Sequence, residues 1–172
     1  MEEFKYDTYC GLYCGACDIM AAFKKSTVEN TKPQWEDLPV EFRKNIPAGK
    51  AAEIICYGCK SDTVFIGCSK CLIRNCAKEK MQVETCFDCG KFPCLKFRVF
   101  GFIRKLMEKK LPHLKSAHRN QLTIQEKGLA VWLHQQEALW KCPQCRTDFT
   151  WYSQTCPKCG NELESVKDFR LI

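Results

Sequence analysis

Cys56-Tyr-Gly-Cys59-Lys-Ser-Asp-Thr-Val-Phe-Ile-Gly-Cys68-Ser-Lys-Cys71-Leu-Ile-Arg-Asn-Cys76 opens a run that continues through Cys86-Phe-Asp-Cys89 to Cys94, eight cysteines in 39 residues. Three of the pairs have two residues between their cysteines, a spacing that lets one short loop aim two thiolates at the same ion. Loops this short cannot bury enough apolar surface to order themselves, so metal binding is expected to contribute most of their folding free energy. The run reads as a metal-stabilised core with the rest of the chain arranged around it.

Whether fifteen cysteines in 172 residues mean metal or disulfides depends on the compartment. The sequence begins Met-Glu-Glu-Phe-Lys-Tyr-Asp, which is charged and lacks the apolar stretch of a secretory leader. No apolar run approaches membrane-spanning length, so neither secretion nor a membrane partner is expected. A cytoplasmic chain keeps its thiols reduced, and reduced Cys-x-x-Cys pairs are the material of metal sites. The formal charge of +7 invites a nucleic-acid reading until thiolates are counted. Each divalent ion held by four of them carries about −2, and three such sites bring the chain close to neutral.

Upstream, Cys10, Cys14 and Cys17 are separated by three and then two residues. Gly11 and Gly15 permit turns that point amides at sulfur, and Asp18 can cap a short amphipathic helix carrying Ile19, Met20, Ala22 and Phe23. Cys17 then lies at a helix N-terminus, where a thiolate is favoured. The spacing matches the cluster triad of radical S-adenosylmethionine enzymes, but no run of βα units follows it. Cys14-Gly-Ala-Cys17 as a redox dithiol lacks its βαβ setting too.

In the core the simplest division places Cys56, Cys59, Cys68 and Cys71 on one ion and Cys76, Cys86, Cys89 and Cys94 on another. Interleaved pairing satisfies the spacing equally, with Cys71 or Cys76 exchanged or serving beside Cys14 and Cys17. Under the simplest division Cys10, Cys14 and Cys17 remain as a set of three, expected to hold a labile metal or a three-cysteine iron–sulfur cluster and to react first with thiol reagents.

Taken in order, Cys10-Gly-Leu-Tyr-Cys-Gly-Ala-Cys17, Cys56-Tyr-Gly-Cys59-Lys-Ser, Cys68-Ser-Lys-Cys71-Leu-Ile-Arg-Asn-Cys76-Ala, Cys86-Phe-Asp-Cys89 and Phe92-Pro-Cys94 resemble the prokaryotic family called domain of unknown function 3795, over about residues 9–96. The resemblance implies a bacterial or archaeal cytoplasmic origin and a cysteine-based metal site. It implies no particular activity, so no catalytic residue is carried over.

Residues 27–49 read as a linker with helical content, in which Trp35, Leu38, Phe42 and Ile46 recur at helical spacing, Pro39 suits a first turn, and Pro47 and Gly49 end it. After Cys94, an apolar stripe of Leu95, Val99, Phe102, Ile103 and Leu106 predicts a helix. Leu111-Pro112 breaks it, and a second helix is predicted from Thr123, with Glu126 completing a capping box and Leu122, Leu129, Trp132, Leu133 and Leu139 on its buried side. The two should pack as a hairpin on the cysteine core. The first carries a strongly basic face in which Arg104, Lys105, Lys109, Lys110 and Lys115 are candidates to contact nucleic acid or an acidic partner, although a solvated face is the plainer reading. His113, His118 and His134 have no ligand spacing and are expected at the surface.

The C-terminal motif is Trp140-Lys-Cys142-Pro-Gln-Cys145, ten residues, Cys156-Pro-Lys-Cys159-Gly160. Each Cys-Pro-x-Cys turn presents two sulfurs, and Phe149-Thr-Trp-Tyr152 is rich in strand formers. A zinc ribbon with a β-hairpin is predicted. The whole is expected to be an α+β protein: a cysteine-rich metal-binding domain over 1–95, a basic helical hairpin over 96–139 and the ribbon over 140–163. Closed four-cysteine sites leave no coordination position for a substrate. The expected role is therefore non-enzymatic: a zinc protein with several ions that binds another protein or nucleic acid. Iron suits the same ligands, and an iron–sulfur electron carrier using the N-terminal cysteines is the alternative.

Overall fold

A computed structural model describes residues 2–80 and 83–163. Its α-helices are α1 (Asp18–Glu29), α2 (Val40–Asn45), α3 (Ile66–Ser69), α4 (Leu72–Lys78), α5 (Leu95–Met107), α6 (Ser116–Lys127) and α7 (Leu129–Leu139), joined by loops and single 3₁₀ turns. The expected α+β class is overturned. Among the described residues the β contribution consists of two isolated antiparallel bridges, Lys141 with Asp148 and Thr155 with Glu162, and no sheet or C-terminal β-hairpin forms.

The reason lies in what the strand formers bond. Trp151 donates its amide to Ala16 O at 2.9 Å, and the Thr150 hydroxyl donates to Asp18 Oδ1 at 2.5 Å. Phe149, Trp151 and Tyr152 are buried one by one against the N-terminal half. Their affinity for a pleated surface is satisfied by tertiary packing, which overrides it as a strand signal. Burial also pushes the Asp18 carboxyl up to about 7, against the Thr150 hydroxyl that favours its charged form.

The helix boundaries follow local chemistry. α1 ends where Asn30 enters the left-handed region at φ 51°, a conformation its short polar side chain tolerates. The second long helix begins at Ser116, seven residues before the predicted start, after a 3₁₀ turn over Pro112–Lys115. Thr123 is consequently mid-helix and bonds back to Arg119 O. Gly128, at φ 85° and ψ 159°, separates α6 from α7, in a region essentially closed to other residues.

One apolar core runs through Tyr13, Ile19, Trp35, Leu38, Phe42, Phe65, Ile124, Trp132, Trp140 and Phe149. Trp132 of α7 is wholly enclosed and meets Tyr13 edge-on at 6.1 Å. Leu129 and Leu133 are partly buried against this core, whereas Leu122 and Leu139, predicted inward, are exposed. His113 departs from expectation the other way. It is buried, stacks on Trp151 with centroids 4.0 Å apart and shares a 2.8 Å hydrogen bond with the Tyr152 hydroxyl.

The N-terminal segment holds the cysteine loops together. The Lys5 amide donates to Tyr57 O at 2.7 Å, and Tyr9 O accepts from the Cys86 amide at 3.1 Å. The approach is so close that a Cβ on Gly58, at φ +113°, would lie 1.9 Å from Lys5 O. Gly11 permits a second close contact: its carbonyl accepts from Asn120 Nδ2 at 2.8 Å, and a Cβ there would come within 2.7 Å of Ala117 O.

Candidate metal centres

The C-terminal site is built twice from one local plan. In the first turn the Cys142 amide donates to Thr147 O and the Arg146 amide to Cys142 O, each at 2.9 Å. In the second the Cys156 amide donates to Asn161 O at 2.8 Å and the Gly160 amide to Cys156 O at 3.0 Å. The bridges obey the same offset, so Trp140-Lys-Cys-Pro-Gln-Cys-Arg-Thr-Asp-Phe149 and Gln154-Thr-Cys-Pro-Lys-Cys-Gly-Asn-Glu-Leu163 are structural repeats fourteen residues apart. Arg146 at φ 60° and Gly160 at φ 72° occupy equivalent positions.

Facing one another, the repeats bring all four sulfurs within 4.8 Å of each other. Cys142 and Cys159 Sγ are 3.6 Å apart, and Cys145 and Cys156 Sγ 3.4 Å. Four sulfurs ~2.3 Å from one tetrahedral ion stand about 3.8 Å apart, so the constellation fits a single metal ion. The Thr147 hydroxyl, followed by its amide, favours the Cys145 thiolate and holds it at about 6. Backbone amides, that of Cys159 first, lower Cys156. Thiolates are the form that binds metal.

The eleven other cysteines assemble differently. Cys10, Cys14, Cys17, Cys56, Cys59, Cys68 and Cys71 are electrostatic neighbours in one region: Cys14 faces Cys59, Cys17 and Cys56, while Cys59 faces Cys10, Cys68 and Cys71. The Cys10, Cys14 and Cys17 motif is thus not a set apart. Cys14 and Cys17 are brought to Cys56, and Cys10 to Cys59 and Cys71. Burial pushes the Cys10 and Cys14 thiols up and Cys17 to about 12. Cys10 is buried and Cys14 and Cys17 are half-buried; thiols this hard to ionise are poor first targets for thiol reagents, and a bound cation would offset the same penalty.

Cys76, Cys86, Cys89 and Cys94 line one cavity. They come from α4, from the 3₁₀ turn over Cys86–Asp88, from the residue after it and from the N-cap of α5. Burial, then Cys10 and Cys94, pushes Cys86 up to about 12, so this cysteine borders both groups. Cations lie among the sulfurs. Arg74 is buried and donates to Cys59 O at 2.9 Å and Ser61 O at 2.7 Å, and Lys80 Nζ donates to Cys89 Sγ at 2.9 Å. Among the described residues only Cys142, Cys145, Cys156 and Cys159 gather three or more ligand atoms within 4.8 Å.

A second repeat, unused in predicting the site, lies here: Cys68-Ser-Lys-Cys71-Leu-Ile-Arg-Asn-Cys76-Ala-Lys78 and Cys86-Phe-Asp-Cys89-Gly-Lys-Phe-Pro-Cys94-Leu-Lys96 share cysteine and lysine spacing. The structure splits the first copy. Cys68 and Cys71 face the larger group, while Cys76 joins the second copy around the cavity.

Of the predicted contact residues, Lys105, Lys109, Lys110 and Lys115 are exposed. Arg104 is committed internally, to Glu108 Oε1 at 2.7 Å and Leu114 O at 3.0 Å. The α5 stripe expected in the core is also at the surface: Leu95, Val99, Phe102, Ile103 and Leu106 are all exposed, as is Met107 beside them, and the helix has no fully buried residue. Phe97 and Phe100 pack inward on the group around Cys10 and Ile73.

Residues 6–99, more than half of the chain, match the family described as "Protein of unknown function (DUF3795)". No curated protein and no solved structure matches the chain. Among the described residues no helix is long and apolar enough to cross a membrane.

Proposed function

The chain belongs to the DUF3795 family, and we propose that it is a non-enzymatic, zinc-binding cytoplasmic protein that docks an acidic partner protein on α5. The observation that carries this reading is the outward apolar face of α5. Leu95 is 75%, Phe102 66% and Leu106 64% exposed, on a helix whose N-cap is Cys94. Contiguous exposed apolar surface rimmed by charge marks interaction sites. Arg98 and Lys105 lie along one border at i and i+7, and Lys109 follows in the turn after the helix, all exposed; this basic edge favours an acidic amphipathic helix laid along the apolar face. The same basic border disfavours a second copy, which would set like charges together. The C-terminal cysteines support the non-catalytic part: a four-thiolate ion has no open position.

The test titrates a panel of acidic amphipathic helical peptides into the full chain. Binding that weakens with salt, and is lost in Leu95→Ser/Phe102→Ser/Leu106→Ser with circular dichroism and metal content unchanged, is expected. Self-association through α5, or equal peptide binding by the triple variant, would overturn the docking surface. Tight, steeply salt-dependent binding of duplex DNA or single-stranded RNA would instead make the basic border a nucleic-acid surface.

A further inference from the structure

We propose that the cavity bounded by Cys76, Cys86, Cys89 and Cys94 is an iron–sulfur site, with Lys80 as a hydrogen-bond donor to its thiolate ligands. This goes beyond the docking reading and does not depend on it.

Three observations converge. The first is the ligand set: four cysteines from three separate elements, α4, the turn over 86–89 and the N-cap of α5, face one cavity whose other walls include Ile73, Val83, Phe92 and Phe97. Phe92 meets Phe97 edge-on at 4.7 Å and Phe87 at 4.6 Å, giving the site the apolar shell that tunes clusters through solvent exclusion.

The second is spacing. At 142–159 the sulfurs close to within 4.8 Å, as one ion requires, and the cavity cysteines do not form such a group. In a four-iron cluster each thiolate binds a different iron, so the sulfurs stand further apart around an inorganic core.

The third is charge. The Lys80 ammonium, 2.9 Å from Cys89 Sγ, has a thiolate as its natural counter-ion. Lys80 lines the same cavity as Cys76, Cys86 and Cys94, so its positive charge lies beside the sulfurs that a cluster would bind.

The experiment uses the full chain, purified anaerobically and supplied with ferrous iron and sulfide. Iron and acid-labile sulfide should be retained in equal amounts, with visible charge-transfer absorption and a paramagnetic signal after dithionite reduction. Cys89→Ser/Cys94→Ser should lose one cluster's worth of both while the ion at 142–159 stays. Lys80→Met keeps every ligand, so it tests the site even if the double variant fails to fold. It should hold the cluster and shift the midpoint potential downward, because the lost N–H···S bond and positive charge favoured the more negative reduced state. Uptake of zinc without labile sulfide would overturn the proposal. So would unchanged iron in a folded double variant, or an unchanged potential in Lys80→Met.

Discussion

The C-terminal cysteines bring four sulfurs within 4.8 Å using two turns of one plan, whereas the cysteines between 10 and 94 are gathered into groups by the packing of loops distant in sequence. The difference separates two ways of building a thiolate site. In the first, backbone hydrogen bonds within ten residues set the sulfur positions. In the second, the positions depend on contacts such as Lys5 with Tyr57 and Tyr9 with Cys86, so folding and site assembly are one event.

The largest expected effect tests how separate the two regions are. Cys156→Ser should release the C-terminal ion. Because Trp140, Phe149 and Trp151 share a core with Ile19, Phe42 and Trp132, the loss should destabilise the whole chain by several kcal/mol, about the scale of losing a structural metal. A single chelator-induced transition is expected, followed by tryptophan fluorescence and amide exchange. Exchange protection in α1 and α7 that survives the substitution unchanged would make the C-terminal unit an independent module.

Gly58→Ala is expected to act on the other region. Its Cβ would collide with Lys5 O, and its φ of +113° is hostile to any side chain, which together should cost on the order of 3 kcal/mol. Metal content of the N-terminal cysteines should fall while the ion at 142–159 remains. Loss from both regions at once would erase the distinction between local and assembled sites.

His113 reports on the joint between helices and C-terminal unit. Burial lowers its pKa from the ordinary 6.5 to about 3, so the folded chain holds the neutral ring. That contribution is complete above pH 6.5 and is lost as pH falls from there toward 3, when the unfolded chain gains a proton that the folded one refuses. The loss should reach a few kcal/mol. Acid also releases thiolate-bound metal, so the measurement is the difference in urea midpoint between the parent and His113→Phe at pH 7 and pH 5. Parallel pH profiles would show that the ring is not the acid-sensitive element.

What the sequence made legible follows the same division. The Cys142, Cys145, Cys156 and Cys159 grouping was readable because every determinant lies within two short repeats. The absent hairpin was not, because Phe149, Trp151 and Tyr152 are strand formers by type and core residues by tertiary contact. Periodicity located the apolar face of α5 but carries no information on what covers a face, and Leu95, Phe102 and Leu106 are exposed. The Thr123–Glu126 pattern imitates a helix start inside α6, whose actual beginning depends on the turn at Pro112–Lys115. The family itself was legible from the ordered cysteine motifs, since order and spacing survive without knowing which sulfurs meet.

The smallest expected effect compares the two C-terminal turns with each other. Arg146 at φ 60° and Gly160 at φ 72° do the same work, each donating its amide back to the first cysteine of its turn. A left-handed residue with a Cβ costs ~1–2 kcal/mol, while glycine adds unfolded-state freedom that offsets part of any relief. Arg146→Gly should therefore stabilise by roughly 0.5 kcal/mol, and Gly160→Ala, whose Cβ meets nothing within 4 Å, should destabilise by about 1 kcal/mol. Opposite signs in the two variants, read as shifts in chemical-denaturation midpoint with the ion bound, would show that backbone strain is carried independently by each turn. Changes of the same sign would mean that the bound ion fixes both turns together and that the left-handed preference is overridden by coordination.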